Sequence, residues 1–391
     1  MIDVAIAGGG LAGGLIALAL HRAHPLMRVA LVEASDVLGG NHRWSWFDSD
    51  LGAEEHSLFS AFRTTRWDSG YAVVFPAYSR RLGTDYNSLD SADFDAALRR
   101  ELPAETIRTG SSVAALDADG IDLENGERIA ARAVIDCRGA VPTSHLQGGW
   151  QVFMGRRFRT SQPHGIECPV IMDADVEQHG AYRFVYTLPL GAHDLFVEDT
   201  YYQDDPVLDR SALSGRIDSY CEQMDWDGEI LDGETGLLPV ITGGDFSAHQ
   251  AQTRIDGVAR AGARGGFVHP LTSYTLPFAA RTALDIAANA DLTGPMLAAK
   301  LEASATSHWQ STAFYRKLGR MLFGAAQADK RYKVFEHFYR LDDKLVERFY
   351  AANSSAADQA RILMGKPPVP VLGAMRALAT SGKPLVPQTS Q

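Results

Sequence analysis

A chain of 391 residues and 42.5 kDa that is 46% apolar and 22% charged is neither disordered nor fibrous, and its length calls for two or three domains. Its 37 Lys and Arg against 48 Asp and Glu leave a net charge of −11, which repels phosphate backbones and sets nucleic acid aside as a partner. Cys137, Cys168 and Cys221 lie far apart with no CxxC pair, so neither a disulfide framework nor a thiolate zinc site is expected, and a reducing cytoplasm fits.

In chain order, Ile2 to Ala7 is a short β-like run that leads into Gly8-Gly9-Gly10-Leu11-Ala12-Gly13 and then an Ala- and Leu-rich helical segment. Leu11 to Leu20 reads as a buried helix rather than a signal-peptide core, because Asp3 precedes it, no basic segment leads in, and His21 and Arg22 close it. Val29 to Val32 forms the next strand and ends at Glu33, 20 residues after Gly13. Gly8 permits the tight turn, Gly10 lets backbone approach a pyrophosphate at the helix N-terminus, Gly13 lets helix pack on strand, and Glu33 accepts from a ribose hydroxyl. Glycine-rich turns alone are weak signals; the order strand, glycines, helix, strand, acid is what points to a dinucleotide.

Arg63 to Tyr86 and Trp150 to about Asp256 are rich in Phe, Tyr, Val and Ile with frequent turn residues, and read as β-rich insertions. Within the second, Tyr182 to Leu190 and Leu195 to Tyr202 form two strands joined at Gly191-Ala192-His193-Asp194. Alternation puts Phe196, Glu198 and Thr200 on one face and Val197, Asp199 and Tyr201 on the other, one carboxylate in and one out. It leaves open which is which. An inward Glu would be desolvated and protonated near neutrality, whereas the plainer reading of the sequence alone is a surface pair on an edge strand.

From Trp309 to Tyr350 apolar residues return at helical spacing, predicting two amphipathic helices; Lys366 to Val371 is too rich in proline to stay helical, and residues after Gly382 read as a frayed end. From Lys300 onward 14 basic and 7 acidic residues leave +7, against −18 on the rest. No run reaches the roughly 18 to 20 apolar residues of a membrane span, so membrane contact is expected to be peripheral.

The segment Glu33-Ala34-Ser35-Asp36-Val37-Leu38-Gly39-Gly40 resembles the extended fingerprint of flavoproteins with two dinucleotide-binding domains, which implies FAD rather than NAD. Ala133 to Gly139, a run ending in Asp-x-x-Gly, is similar to their strand returning to the flavin domain, and Gly262 to Pro270 to their second glycine-rich stretch. The resemblance implies FAD contacts from Gly8, Gly10, Leu11, Ala12, Gly13, Glu33, Ala34, Gly39, Gly40, Val113, Asp136, Gly139, Gly265, Gly266 and His269. His269 itself reads as a histidine satisfied beside a turn rather than an acid or base. The implied fold is α/β, a Rossmann-type two-dinucleotide-binding flavoprotein fold with an inserted β-rich substrate domain and a helical C-terminal region. Residues 1–62, 87–149 and 257–308 form the discontinuous FAD-binding domain, 63–86 and 150–256 the substrate domain, and 309–391 the helical region.

Glu198-Asp199-Thr200 in Phe-Val-Glu-Asp-Thr resembles the acidic motif of bacterial lycopene cyclases. Further likenesses follow in the same order: Gly39 to Trp46, Ile171 to Ala174, Tyr182 to Leu190, Phe267 to Pro277, Arg320 to Phe323 and Gly365 to Leu372. Departures are modest: Leu271-Thr272-Ser273-Tyr274 stands where the family more often has Thr-Thr-Gly-Tyr, and Arg43 and Trp46 replace its usual Thr and Phe. The resemblance implies lycopene and related linear carotenoids as substrates, acid-catalysed isomerising cyclisation of their ends to β-ionone rings, and protonated Glu198 as donor beside reduced FAD. NAD(P)H is expected as an external reductant, and the cytoplasmic face of the inner membrane as the peripheral location, with no obligatory protein partner. The rival on the same scaffold is an FAD-dependent hydroxylase or alkene reductase acting on an isoprenoid, and a non-enzymatic rival is a flavin-bearing carotenoid carrier.

Overall fold

The computed structural model describes residues 2–364 and 369–386; Gly365 to Pro368 of the proline-rich motif lie outside the described residues. Two large sheets and one small one organise the chain. In the first, Ile2–Ala7 lies between Val29–Val32 and Arg128–Asp136, parallel to both, with Ile107–Arg108 and Val258–Arg260 extending the parallel set. Strands Gly120–Leu123 and Val113–Asp117 add an antiparallel edge. Buried Leu15, Ile16, Leu18 and Leu20 of the helix Leu11–Ala23 share one core with Ala279, Ala280, Ala283 and Ile286 of the helix Leu276–Ala288. Val29–Val32 is buried throughout and Ile2–Ala7 from Val4 onward, which is why these two strands read as continuous apolar runs rather than alternating ones.

The second sheet runs in the order Gly228–Gly244, Thr143–Thr160, Asp194–Gln203, Tyr182–Pro189, Val170–Asp173, Tyr71–Phe75 and Tyr78–Leu82. The expected hairpin is present, its register pairing Tyr186 with Glu198 and Tyr182 with Tyr202. A small antiparallel sheet of Arg43–Phe47, Tyr86–Asp90 and Thr65–Trp67 contributes one wall of the site described below. One face of the second sheet, carrying Val185, Leu195 and Val197, packs against Ile217, Tyr220 and Cys221 of the helix Arg210–Gln223. The opposite face, carrying Tyr182, Phe184, Leu188, Phe196 and Tyr202, packs against the C-terminal helices through Leu322, Phe335, Phe338, Val346 and Phe349.

Those C-terminal helices correct two expectations. Trp309 to Tyr350 is not two helices: one ends at Ser311, and Ala313–Ala325, Tyr332–Phe338 and Asp343–Tyr350 follow it. The apolar period survives the breaks because each short helix presents its stripe to the same sheet face, while Asp342 caps the last of them through its carboxylate and the Lys344 N–H. Beyond Gly382 the chain is not frayed as far as it is described, since Pro384–Leu385 pairs with Thr143–Thr160 and Leu385 is buried.

Candidate active site

Two cavities meet at the first turn of the helix Leu276–Ala288. The first, about 1270 Å³, runs along the carboxyl ends of the parallel strands, where doubly wound sheets bind their ligands. Ten of the sequence-predicted residues line it: Gly8, Gly10, Leu11, Ala12, Glu33, Ala34, Gly39, Gly40, Val113 and Gly139. Gly8 sits at φ +101°, and a Cβ there would lie 2.8 Å from the Cys137 carbonyl oxygen, so the turn admits only glycine. The Glu33 carboxylate accepts from the Gly9 N–H at 2.7 Å and the Ser35 N–H at 2.9 Å, which fixes it at the end of its strand.

The remaining predicted positions stand behind that lining. A Cβ on Gly13 would collide with the Gly8 carbonyl, so its role is close packing of helix on strand. Asp136 bonds Arg138 at 2.9 Å and Arg264 at 2.8 Å; burial opposes its charge, but the two guanidinium groups outweigh burial and hold the carboxyl below its ordinary range. Gly265 and Gly266 end a short helix whose Gly262 and Ala263 line the cavity in their place. His269 is fully buried away from the groove: its Nδ1 accepts from the Leu271 and Thr272 N–H groups, and its Nε2 lies 3.1 Å from the Phe349 carbonyl. Burial pushes it down to about 3, so it is a neutral ring that shapes the following turn.

That turn places Thr272, Ser273 and Tyr274 in the second cavity, of about 650 Å³, which Thr275 shares with the first. Ser273 adopts φ +60°, the left-handed region that glycine enters freely, and its hydroxyl donates to the Pro239 carbonyl at 2.9 Å. Tyr86, Tyr186 and Tyr274 line the same space, with the Tyr274 hydroxyl 3.3 Å from that of Tyr86 and 3.0 Å from that of Tyr186.

Glu198 projects into this cavity. Its surface is only partly covered because it borders the open space, yet it lies deep inside the protein. Desolvation first, and then the negative charge of Glu234, raise its pKa well above the carboxylate range, which favours the protonated acid. The Thr200 hydroxyl donates to its Oε1 at 2.8 Å. Asp199 faces the opposite side, but not solvent: it is fully buried under the helix Arg210–Gln223, paired with Arg183 at 2.7 Å and accepting from the Tyr201 hydroxyl at 2.8 Å. Sequence alternation separated the two acids correctly and missed that both faces are covered.

Glu234 was not singled out by the sequence. It is buried, lines the cavity, and accepts from the Arg43 N–H at 2.7 Å, with His42 Nδ1 3.1 Å from the same oxygen. Two further buried polar atoms facing the cavity, Gln151 Oε1 and Thr272 Oγ1, have no partner among the described residues, as expected of a place where a polar ring or substrate docks.

A glycine-lined groove at the ends of a parallel sheet, continuing under a helix N-terminus into a cavity roofed by a second sheet, defines a Rossmann-type flavoprotein fold. Two solved structures share it: a geranylgeranyl bacteriochlorophyll reductase-like protein from Thermoplasma acidophilum (TM-score 0.62, 14% identity, 96% of this chain and 98% of that one) and a flavin-dependent halogenase from Xanthomonas campestris (TM-score 0.58, 13% identity, 100% and 99%). Residues 3–376 match the family model described as "Lycopene cyclase protein". A lycopene beta-cyclase from Pseudescherichia vulneris is 42% identical over 378 residues, covering 96% of this chain and 97% of that protein. The chain belongs to the lycopene cyclase family.

Proposed function

We propose that the protein is a lycopene beta-cyclase, converting the acyclic ends of lycopene into β-ionone rings by proton transfer without net redox change. Family membership supports the substrate, and one observation carries the mechanism: the Glu198 carboxyl stands desolvated in an aromatic cavity that adjoins the dinucleotide groove, where burial favours its protonated form. Residues 1–62, 87–149 and 257–308 would serve as the FAD-binding part, 63–86 and 150–256 as the substrate part. The groove residues fit FAD, with the helix N-terminus at Thr275 directed at its flavin end. Reduced flavin, supplied with electrons by NAD(P)H, would contribute negative charge beside the developing cation.

The chain's own residues account for the rest. Glu198 gives its proton to a terminal double bond; the resulting tertiary cation is attacked by a nearby double bond, and a ring proton then leaves. A hydrocarbon offers no hydrogen bonds, so the fold of the chain end is imposed by the walls, and the ring faces of Tyr186, Tyr274 and Phe196 stabilise the cation. The tyrosine hydroxyls are occupied with one another, which keeps water-like nucleophiles off the cation.

The partner surface follows from the substrate's insolubility. Among the described residues no helix is long and apolar enough to cross a membrane. The helix Val371–Ala379 nevertheless exposes Leu372 at 82% and Met375 at 63%, beside exposed Leu363 and Met364. Beneath it lies an apolar cavity of about 1290 Å³ walled by Leu318, Met321, Phe335, Phe338 and Tyr350, and the Tyr350 ring packs 5.7 Å from that of Tyr274 in the site. With the +7 charge of the chain from Lys300 onward, this supports peripheral docking of the helix on anionic lipid at the cytoplasmic face, with the polyene entering through the apolar cavity. Expression in cells that accumulate lycopene tests the function: the product should be isobaric with lycopene, and an oxygenated or hydrogenated product would defeat the reading.

A further inference from the structure

Glu198 and Glu234 lie on strands that are not neighbours, and one glycine brings them together. Gly155 of the long strand Thr143–Thr160 is paired with Glu198 on one side and with Glu234 on the other. Directly paired residues project to the same face, so Tyr186, Glu198, Gly155 and Glu234 form one row across four strands. Gly155 contributes no side chain to that row, which leaves room over it for the Phe196 ring, and the Glu198 and Glu234 side chains on either side line the same cavity. Two carboxyl groups in one cavity cannot both ionise without cost, and after desolvation the charge of Glu234 is what favours the protonated form of Glu198.

The row continues outward. Glu234 also lines a second groove, with Asn41, His42, Arg43, Asp90 and Asp232, on the far side of the site. His42 borders both spaces, its side chain is one-third exposed at 33%, and its Nδ1 is 3.1 Å from Glu234 Oε2. A continuous path therefore runs from solvent through an imidazole and a carboxylate to the acid. Resting on the reading of Glu198 as proton donor, we propose that Glu234 is a positioning residue that retains the proton on Glu198, and that His42 connects this carboxyl pair to water.

The cycle balances with one proton in and one out. Glu198 becomes a carboxylate when its proton forms the new C–H bond of the substrate. The C–H bond broken on the ring leaves its electron pair as the new C=C bond and gives its proton to the Glu198 carboxylate, and the acid exchanges that proton with water through Glu234 and His42 before the next turnover. Other charged or titratable groups bear on the pair: Arg43, ion-paired with Asp90 at 2.5 Å; Arg157 with Asp232 at 3.7 Å; Asp199 on the reverse face; and the phenols Tyr86 and Tyr186. Arg43 and Arg157 balance Asp90 and Asp232, which leaves Glu234 as the charge in direct contact with Glu198.

The test is the pH profile of lycopene cyclisation by the FAD-loaded, chemically reduced enzyme. Activity needs protonated Glu198 and is lost as pH rises through its pKa. Glu234→Gln removes the neighbouring charge and should move this alkaline limb down by about 1 to 3 units while flavin content is retained. His42→Gln, at a partly exposed position, should leave the limb in place and lower the rate about tenfold or more, with recovery on adding imidazole. A wild-type limb in Glu234→Gln overturns the role of Glu234 in retaining the proton, and a wild-type rate in His42→Gln overturns the route to water. Glu198→Gln is the separate control: activity in that variant would sink the acid reading itself, whereas its inactivity beside wild-type behaviour of the other two would sink only the relay.

Discussion

Gly155→Ala tests the packing on which the site depends. The added Cβ would enter the space occupied by the Phe196 ring, colliding with its Cζ and approaching Cε2 to 2.9 Å. Phe196 has little freedom to withdraw, since it is 4% exposed and the Arg43 guanidinium sits 5.4 Å over its ring. One extra methyl in such a place costs about 1 to 3 kcal/mol of stability. Displacing Phe196 also shifts a cavity wall beside Glu198, and a misplacement of about 1 Å at a reacting centre costs on the order of 100-fold in rate. Thermal unfolding of the FAD-loaded protein and initial rates of ring formation would be measured side by side. A variant with unchanged midpoint and full activity would refute the description of Gly155 as the position whose missing side chain makes room for Phe196.

Glu198→Gln should lower cyclisation by at least about 100-fold with flavin retained, because the amide keeps the acceptor for the Thr200 hydroxyl but cannot donate a proton to carbon. Burial raises the folded pKa of Glu198 above its unfolded value, so its stabilisation is present at low pH and lost as pH rises through the raised pKa; unfolding curves of the Gln variant should lose that alkaline decline. Asp199→Asn strands Arg183 in a buried site and should cost about 3 to 5 kcal/mol in denaturant unfolding, far more than the Glu198 change. Leu372→Asp combined with Met375→Asp should weaken flotation with anionic liposomes and leave the rate on detergent-dispersed lycopene near wild type; undiminished flotation would remove that helix from the docking surface.

The dinucleotide groove was legible because its determinants are local: turn, helix N-terminus and acid fall within the first 40 residues, and each glycine answers a backbone constraint. The later glycine stretch was read less well. Gly265 and Gly266 end a short helix and His269 shapes the turn that carries Thr272 to Tyr274, and only the path of the chain from Gly262 to Thr275 reveals which residues reach the groove. Ser273 in a left-handed conformation explains physically why glycine is usual at that place in the family motif. Glu198 emerged from motif resemblance, since alternation treats it and Asp199 alike. Glu234 was illegible because its meaning depends on register across two strand pairs, with Gly155, Glu198 and Glu234 spread over 80 residues. In the C-terminal region the apolar period was visible, but the breaks between its short helices depend on the sheet they cover.

Cyclisation by the reduced enzyme in heavy water reports where the proton added to each ring comes from. Proton donation by an exchangeable carboxylic acid predicts one deuterium in each ring formed, in a product otherwise isobaric with lycopene, and no label or ring in the Glu198→Gln variant. An unlabelled ring, or rings still formed by that variant, would contradict the account.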